Sequence, residues 1–133
     1  MYPGHWASVA PEKPAAINAN TGEVLDYATL NARSAQLAHY FAAQGLTVGD
    51  HIALFMENNL HFFEVAWAAY RSGLYLTCIN RYLTAEEAAY IVNDCDASIL
   101  ISSAARGAVA DALRGPCPGV KAFLMTDGAL AGW

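Results

Sequence analysis

The feature that most constrains this sequence is a set of four short apolar runs, separated by segments with helical spacing. The runs lie at 51–56, 74–79, 98–102 and 120–125. Helical patterns at 60–72, 84–94 and 104–114 lie between them. Near-continuous apolar strands joined by helices are typical of a parallel sheet with helices on both faces. We therefore predict an α/β fold with right-handed crossovers, and the pattern leaves the strand order open.

A β-hairpin and a helix precede this alternation. Short strand-like segments at 15–19 and 23–27 flank Asn20-Thr21-Gly22, a three-residue loop whose glycine tolerates positive φ. Asp26 is placed to cap the helix that follows, and Gly45 is placed to end it. The sequence thus predicts a hairpin and one long helix ahead of the sheet.

The whole chain, residues 1–133, is predicted to form a single unit, because its length suits one domain. Within it, residues 1–50 hold the lead-in, the hairpin and the first helix. Residues 51–133 form the parallel α/β unit.

Composition and charge exclude several classes of protein. Hydrophobic residues make up 56% of the chain and charged residues 14%, which suits a packed domain rather than a disordered one. The net charge is −5 with only seven Lys and Arg residues, so we expect no nucleic-acid partner. No apolar stretch approaches the roughly 20 residues of a transmembrane segment, and the start lacks the pattern of a signal peptide. We expect a cytoplasmic protein.

The helix predicted at 60–72 is apolar around almost its whole circumference. Its polar residues His61, Glu64 and Arg71 occupy a narrow strip. Such a helix is normally buried on several sides. The residues that bury this helix could belong to this unit alone, to a further part of the same protein, or to a second copy of it. We expect self-association through the 60–72 surface or its neighbours.

Motifs for catalysis and for metal binding are not found in this sequence. It has no Walker loop, no dinucleotide-binding glycine pattern and no nucleophile elbow. The histidines and cysteines lack metal-ligand spacing, and we expect the cysteines to be buried free thiols. We predict neither catalytic nor metal-binding residues. The residues in question are His5, His39, His51, His61, Cys78, Cys95 and Cys117.

Three polar segments follow predicted strands, where parallel sheets bind their ligands. They are Glu57-Asn58-Asn59, Asn80-Arg81-Tyr82 and Ser102-Ser103. Arg81 also precedes a helix that starts at Thr84, and a cation beside free backbone N–H groups would suit a phosphate. The plainer interpretation is that these residues cap helices or lie in solvated loops.

Several of these segments, in their order and spacing, resemble the start of AMP-forming acyl-CoA synthetases in the adenylate-forming enzyme family. The likeness runs from about Pro3 to Met125, and no single segment is a catalytic motif. It favours the fatty-acyl-CoA synthetase branch. The segments are 11–15, 25–30 with Arg33, 45–53, 56–59, 64–73 and 79–91.

The resemblance implies an acetyl-CoA synthetase-like N-terminal subdomain and a two-step reaction. A fatty acid or other carboxylic acid would react with ATP to give an acyl-adenylate, assisted by Mg²⁺, and coenzyme A would then displace AMP. The family's phosphate loop, magnesium-binding Glu and catalytic Lys have no counterpart here. We therefore expect a fragment that is inactive alone, holds no cofactor tightly and belongs with the rest of its own enzyme.

The resemblance also bears on one loop. In some relatives the loop after the second strand contacts coenzyme A, which makes Asn80, Arg81 and Tyr82 the candidate cofactor-binding residues. Replacing Arg81 by Ala in the full-length enzyme should raise the KM for coenzyme A.

Two other functions stay open at this point. One is a stand-alone α/β module that binds a partner without catalysis. The other is a flavodoxin-like nucleotide binder, which is disfavoured because Glu57-Asn58-Asn59 stands where a phosphate-cradling loop would follow the first strand.

Overall fold

A computed structural model describes residues 2–133, and the chain divides into two compact units. The first unit comprises Met1–Thr47 and Asn58–Ser72, and the second comprises Val48–Glu57 and Gly73–Trp133. The sequence-based description was a single unit in which residues 1–50 lead into a parallel α/β part at 51–133, and it stays a prediction. In the structure the third helix is grouped with the first unit, although it follows the first strand of the parallel sheet.

The first unit contains a hairpin and three helices. Its two strands pair antiparallel, as the sequence predicted. The sequence left an irregular or briefly helical lead-in ahead of the hairpin, without bounds. The structure has a short helix there, which begins at a proline whose fixed φ suits a helix start. The elements are α1 (Pro3–Val9), β1 (Pro14–Ile17), β2 (Val24–Asp26), α2 (Tyr27–Ala43) and α3 (His61–Ser72).

Helix α2 begins and ends at the residues that the sequence indicated. The Asp26 carboxylate accepts a hydrogen bond from the Thr29 amide at 2.7 Å. Leu25 and Leu30 pack together across this cap, and both are buried. Gly45 follows the helix with a φ of +81°, a conformation that glycine adopts without strain.

Helix α3 packs against α2 and keeps an aromatic face in solvent. Val65, Ala68 and Ala69 are buried. Phe63 and Tyr70 lie seven positions apart on one face and are 43% and 63% exposed. The chain itself therefore covers most of this apolar helix but not all of it. Self-association through this surface stays a prediction.

The second unit is the predicted parallel sheet. Its four strands lie in the order β4-β3-β5-β6, and all three pairings are parallel. The helix expected at 104–114 is instead a short 3₁₀ turn, Ala104–Arg106, followed by α5. The elements are β3 (His51–Phe55), β4 (Tyr75–Cys78), α4 (Ala85–Asp94), β5 (Ile99–Ser103), α5 (Gly107–Leu113) and β6 (Ala122–Thr126).

Both faces of this sheet are covered. On one face, Ala53, Phe55 and Leu100 pack with residues of α4 and α5. On the other face, Ile52 and Ile99 are fully buried. The α/β class with helices on both faces of a parallel sheet is confirmed. None of the helices in residues 2–133 combines the length and apolar character needed to cross a bilayer.

Candidate functional site

The strand order places a topological switch point between β3 and β5. The connection from β3 leads to β4 on one side, whereas β5 lies on the other side of β3. Open parallel sheets bind ligands at the carboxyl ends of strands that part in this way. The carboxyl edge of the second unit is therefore the candidate site.

Two serines at the end of β5 link it to β3 at this switch point. The Ser102 hydroxyl donates to the Phe55 carbonyl oxygen at 2.6 Å. The Ser103 hydroxyl donates to the Glu57 carboxylate. Both serines are fully buried. The structure thus brings together two of the three polar segments that the sequence placed at strand ends.

The third segment, the loop after β4, is locally ordered. The Asn80 side-chain oxygen accepts from the Tyr82 amide at 3.0 Å, which forms a tight turn. The Arg81 guanidinium lies 4.6 Å from the centre of the Tyr82 ring and donates to its hydroxyl. Tyr82 is exposed, so this stacked pair lies at the surface.

A second arginine joins this loop to the end of β5. The Arg106 Nη1 group donates to the Arg81 carbonyl oxygen at 3.1 Å. Sequence reasoning did not single out Arg106. Its position, three residues after the end of β5, was the only available signal. The carboxyl edge therefore holds two guanidinium groups, one on the loop after β4 and one at the end of the 3₁₀ turn after β5.

The start of α4 corrects one part of the sequence argument. The Thr84 hydroxyl accepts from the Glu87 amide at 3.4 Å, and the Glu87 carboxylate accepts from the Thr84 amide at 2.9 Å. The Glu87 carboxylate accepts from both the amide and the hydroxyl of Thr84, and these two hydrogen bonds hold its pKa below the usual value. Glu86 adds a second negative charge in this turn. The helix start is thus occupied by the protein's own carboxylate, and any anion site here would depend on the arginines.

Asn58 and Asn59 belong to the first unit and line a separate cleft of about 250 Å³. Its walls consist of apolar side chains and uncharged amide side chains. The Asn18 side chain there already accepts from the Asn20 and Thr21 amides, at 3.0 and 3.4 Å. This cleft therefore lacks the cations that a phosphate needs. The lining residues are Ile17, Asn18, Ala19, Asn20, Asn58, Asn59, Leu60 and Phe63.

Within residues 2–133, no three His, Cys, Asp or Glu side chains come together as metal ligands would. Cys117 is buried as expected, and burial raises the pKa of its thiol. Cys78 is exposed, so the expectation of buried thiols was wrong for it.

Comparison with known proteins identifies the family. Residues 4–130 match the AMP-binding enzyme family, so this chain belongs to that family. The long-chain-fatty-acid–CoA ligase FadD13 of Mycobacterium tuberculosis is 32% identical over 108 residues, 81% of this chain and 22% of the relative. The crotonobetaine/carnitine–CoA ligase of Proteus mirabilis is 34% identical over 77 residues, 58% of this chain and 15% of the relative.

Solved structures agree with the fold. A Mycobacterium tuberculosis fatty acyl CoA synthetase has a TM-score of 0.82 at 29% identity, covering 94% of this chain and 26% of that one. The inhibitor-bound N-terminal domain of FACL13 from the same organism has a TM-score of 0.83 at 29% identity, covering 94% and 32%. The chain spans only part of the length of the curated relatives it matches, 22% of the FadD13 ligase and 15% of the crotonobetaine/carnitine ligase.

Proposed function

We propose that this chain is the N-terminal part of an AMP-forming acyl-CoA synthetase and that its carboxyl edge faces coenzyme A. The complete enzyme would join a fatty acid or other carboxylic acid to coenzyme A, with ATP and Mg²⁺, through an acyl-adenylate. The names of the matched relatives support the reaction class.

One observation carries the proposal for the edge. The Arg106 guanidinium donates to the Arg81 carbonyl oxygen. The segments after β4 and β5 therefore bring two guanidinium groups to the same end of the sheet. Guanidinium groups bind phosphate oxygens in a bidentate fashion, and coenzyme A carries several phosphate groups. Tyr82, 76% exposed beside Arg81, offers an aromatic face for a planar base.

The chain's own residues would therefore bind and orient this cofactor without taking part in bond making. No residue here is proposed as catalytic, and no magnesium ligand set is proposed among residues 2–133. ATP and Mg²⁺ chemistry would depend on other parts of the enzyme. The isolated chain is accordingly expected to release no pyrophosphate from ATP in the presence of a fatty acid and magnesium.

The test is steady-state kinetics of the complete enzyme carrying Arg81→Ala. We expect the KM for coenzyme A to rise about tenfold or more, because a charge-assisted hydrogen bond to a phosphate is lost. The KM for ATP should stay unchanged. Arg114→Ala is the matched control. Arg106 precedes α5, whereas Arg114 follows it, and the Arg114 guanidinium donates to the Ala131 carbonyl oxygen. An unchanged KM for coenzyme A in the Arg81 variant would refute the proposed role.

A further inference from the structure

The loop after β4 is a β-turn whose two central residues form the stacked arginine–tyrosine pair. The Leu83 amide donates to the Asn80 carbonyl oxygen at 3.1 Å, which closes the turn around Arg81 and Tyr82. This bond joins the first and fourth residues of the turn. It leaves the central peptide, between Arg81 and Tyr82, outside the hydrogen bonding of the turn's own backbone. The directions of both side chains depend on that peptide.

Side chains hold both polar groups of the central peptide. The Tyr82 amide donates to the Asn80 side-chain oxygen at 3.0 Å. The Arg81 carbonyl oxygen accepts from Arg106 Nη1 at 3.1 Å. Asn80 belongs to the turn itself, whereas Arg106 lies 25 residues after Arg81, beyond the end of β5. Arg106 therefore fastens the turn to the end of another strand.

The two arginines differ in what their guanidinium groups contact. Besides its bond to the Arg81 carbonyl oxygen, Arg106 donates from Nε to the Ala105 carbonyl oxygen at 3.0 Å. A bidentate contact with a phosphate needs two neighbouring N–H groups, and Arg106 already uses Nε and Nη1 on its own backbone. The Arg81 guanidinium instead stacks on the exposed Tyr82 ring and donates to its hydroxyl. Arg81 is thus the better placed of the two to meet a ligand.

We propose that Arg106 is a positioning residue for coenzyme A: it fixes the peptide between Arg81 and Tyr82 and acts on the cofactor through that pair. The inference rests on the proposed function, in which the Arg81 guanidinium contacts a phosphate group of coenzyme A. A turn held from one side only would sample several directions for the Arg81 side chain, and binding would have to order it. Arg106 orders the turn before the cofactor binds.

Kinetics of the complete enzyme separate positioning from direct contact. We expect Arg106→Ala to raise the KM for coenzyme A about fivefold, with kcat and the KM for ATP unchanged, because a hydrogen bond that orders the turn is lost. The double variant Arg81→Ala with Arg106→Ala should have about the same KM for coenzyme A as Arg81→Ala alone, since Arg106 then has no contact group to position. Effects that multiply in the double variant would show direct contact by Arg106 and would overturn the inference.

The single variants distinguish this inference from the proposed function. A raised KM for coenzyme A in Arg81→Ala with an unchanged KM in Arg106→Ala would overturn the inference alone. An unchanged KM in Arg81→Ala would overturn both. Arg106→Met keeps an apolar stem but no donor, and it should behave as Arg106→Ala does. A native KM in Arg106→Met would assign the effect to side-chain packing and would also overturn the inference.

Nitrogen-15 relaxation of the 133-residue chain tests the ordering of the turn without any cofactor. The backbone order parameters at Arg81 and Tyr82 should be about 0.85 in the native chain and fall below about 0.6 in Arg106→Ala. Those of β3 and β5 should stay unchanged, which verifies that the variant is folded. Arg114→Ala is the matched control, because Arg114 also donates to a backbone carbonyl oxygen and its loss should leave residues 80–83 rigid. Native order parameters at Arg81 and Tyr82 in Arg106→Ala would contradict the positioning role.

Discussion

Arg33 on α2 donates to the Glu64 carboxylate on α3 at 2.9 Å, although 30 residues separate them along the chain. Glu64 is only 8% exposed, and His61 Nδ1 lies 2.9 Å from its other oxygen. A nearly buried carboxylate thus has two partners in the first unit. The pair also joins two of the segments on which the family resemblance rests, which gives their spacing a structural reason.

Removal of Arg33 should destabilise the first unit because it leaves the Glu64 carboxylate short of a partner. We expect Arg33→Ala to lower the free energy of unfolding by roughly 1 kcal/mol, since the arginine side chain is about half exposed and its charge is partly screened. Urea denaturation would measure the change. Arg71→Ala is the control; Arg71 donates to Asn31 at an exposed position and should cost less. Equal losses for the two variants would contradict a special role for the Glu64 contact.

The helix caps should make the fold sensitive to acid. Hydrogen bonds from Thr29 lower the pKa of Asp26, and hydrogen bonds from Thr84 lower that of Glu87. A carboxyl group with a lower pKa in the folded state stabilises the fold above its unfolded pKa, and this contribution is lost as the pH falls through the folded value. Stability should therefore decrease below about pH 4.

The acid effect can be assigned with amide variants. Asp26→Asn retains an oxygen that can cap α2 but cannot titrate. Urea denaturation across the acid range should show a shallower fall in stability for Asp26→Asn and for Glu87→Gln than for the native chain. A fall of identical slope in the native chain and in both variants would show that other groups control the acid response.

Much of the fold follows from local pattern and capping chemistry. The apolar runs of β3 and β5 are buried in the middle of the parallel sheet, as near-continuous apolar strands predict. The runs of β4 and β6 form its outer strands and are only partly buried. Asp26 and the Thr84-Glu87 capping box fix two helix starts through hydrogen bonds between neighbours in sequence, so both were predictable.

The parts that could not be predicted depend on contacts distant in sequence. The order β4-β3-β5-β6 is set by which strands meet, and no periodicity encodes it. The Ser103–Glu57 and Arg106–Arg81 contacts arise only after the strands are placed side by side. Arg81 was found from its place after a strand, whereas Arg106 was missed because its role appears only in three dimensions.

The three cysteines should react at very different rates. Partial burial raises the pKa of both the Cys78 and the Cys117 thiol, so access to the reagent decides: Cys78 is exposed at the end of β4, whereas Cys117 is buried. Maleimide labelling of the native chain, followed by peptide mass spectrometry, should modify Cys78 first and leave Cys117 unlabelled. Labelling in 6 M urea, where all three thiols become accessible, provides the control. Early modification of Cys117 in the native chain would contradict its burial.

The contact between Ser103 and Glu57 should be measurable as a coupling free energy. Ser103 is fully buried, and its hydroxyl bond to the carboxylate joins the end of β5 to the segment after β3. A double-mutant cycle with Ser103→Ala and Glu57→Ala should give a coupling of about 1 kcal/mol, because each single change removes the same hydrogen bond. Ser102→Ala with Glu57→Ala is the matched cycle; Ser102 donates to Phe55 instead, so its coupling to Glu57 should be near zero. Equal coupling in both cycles would mean that Glu57 acts through general strand packing rather than through this bond.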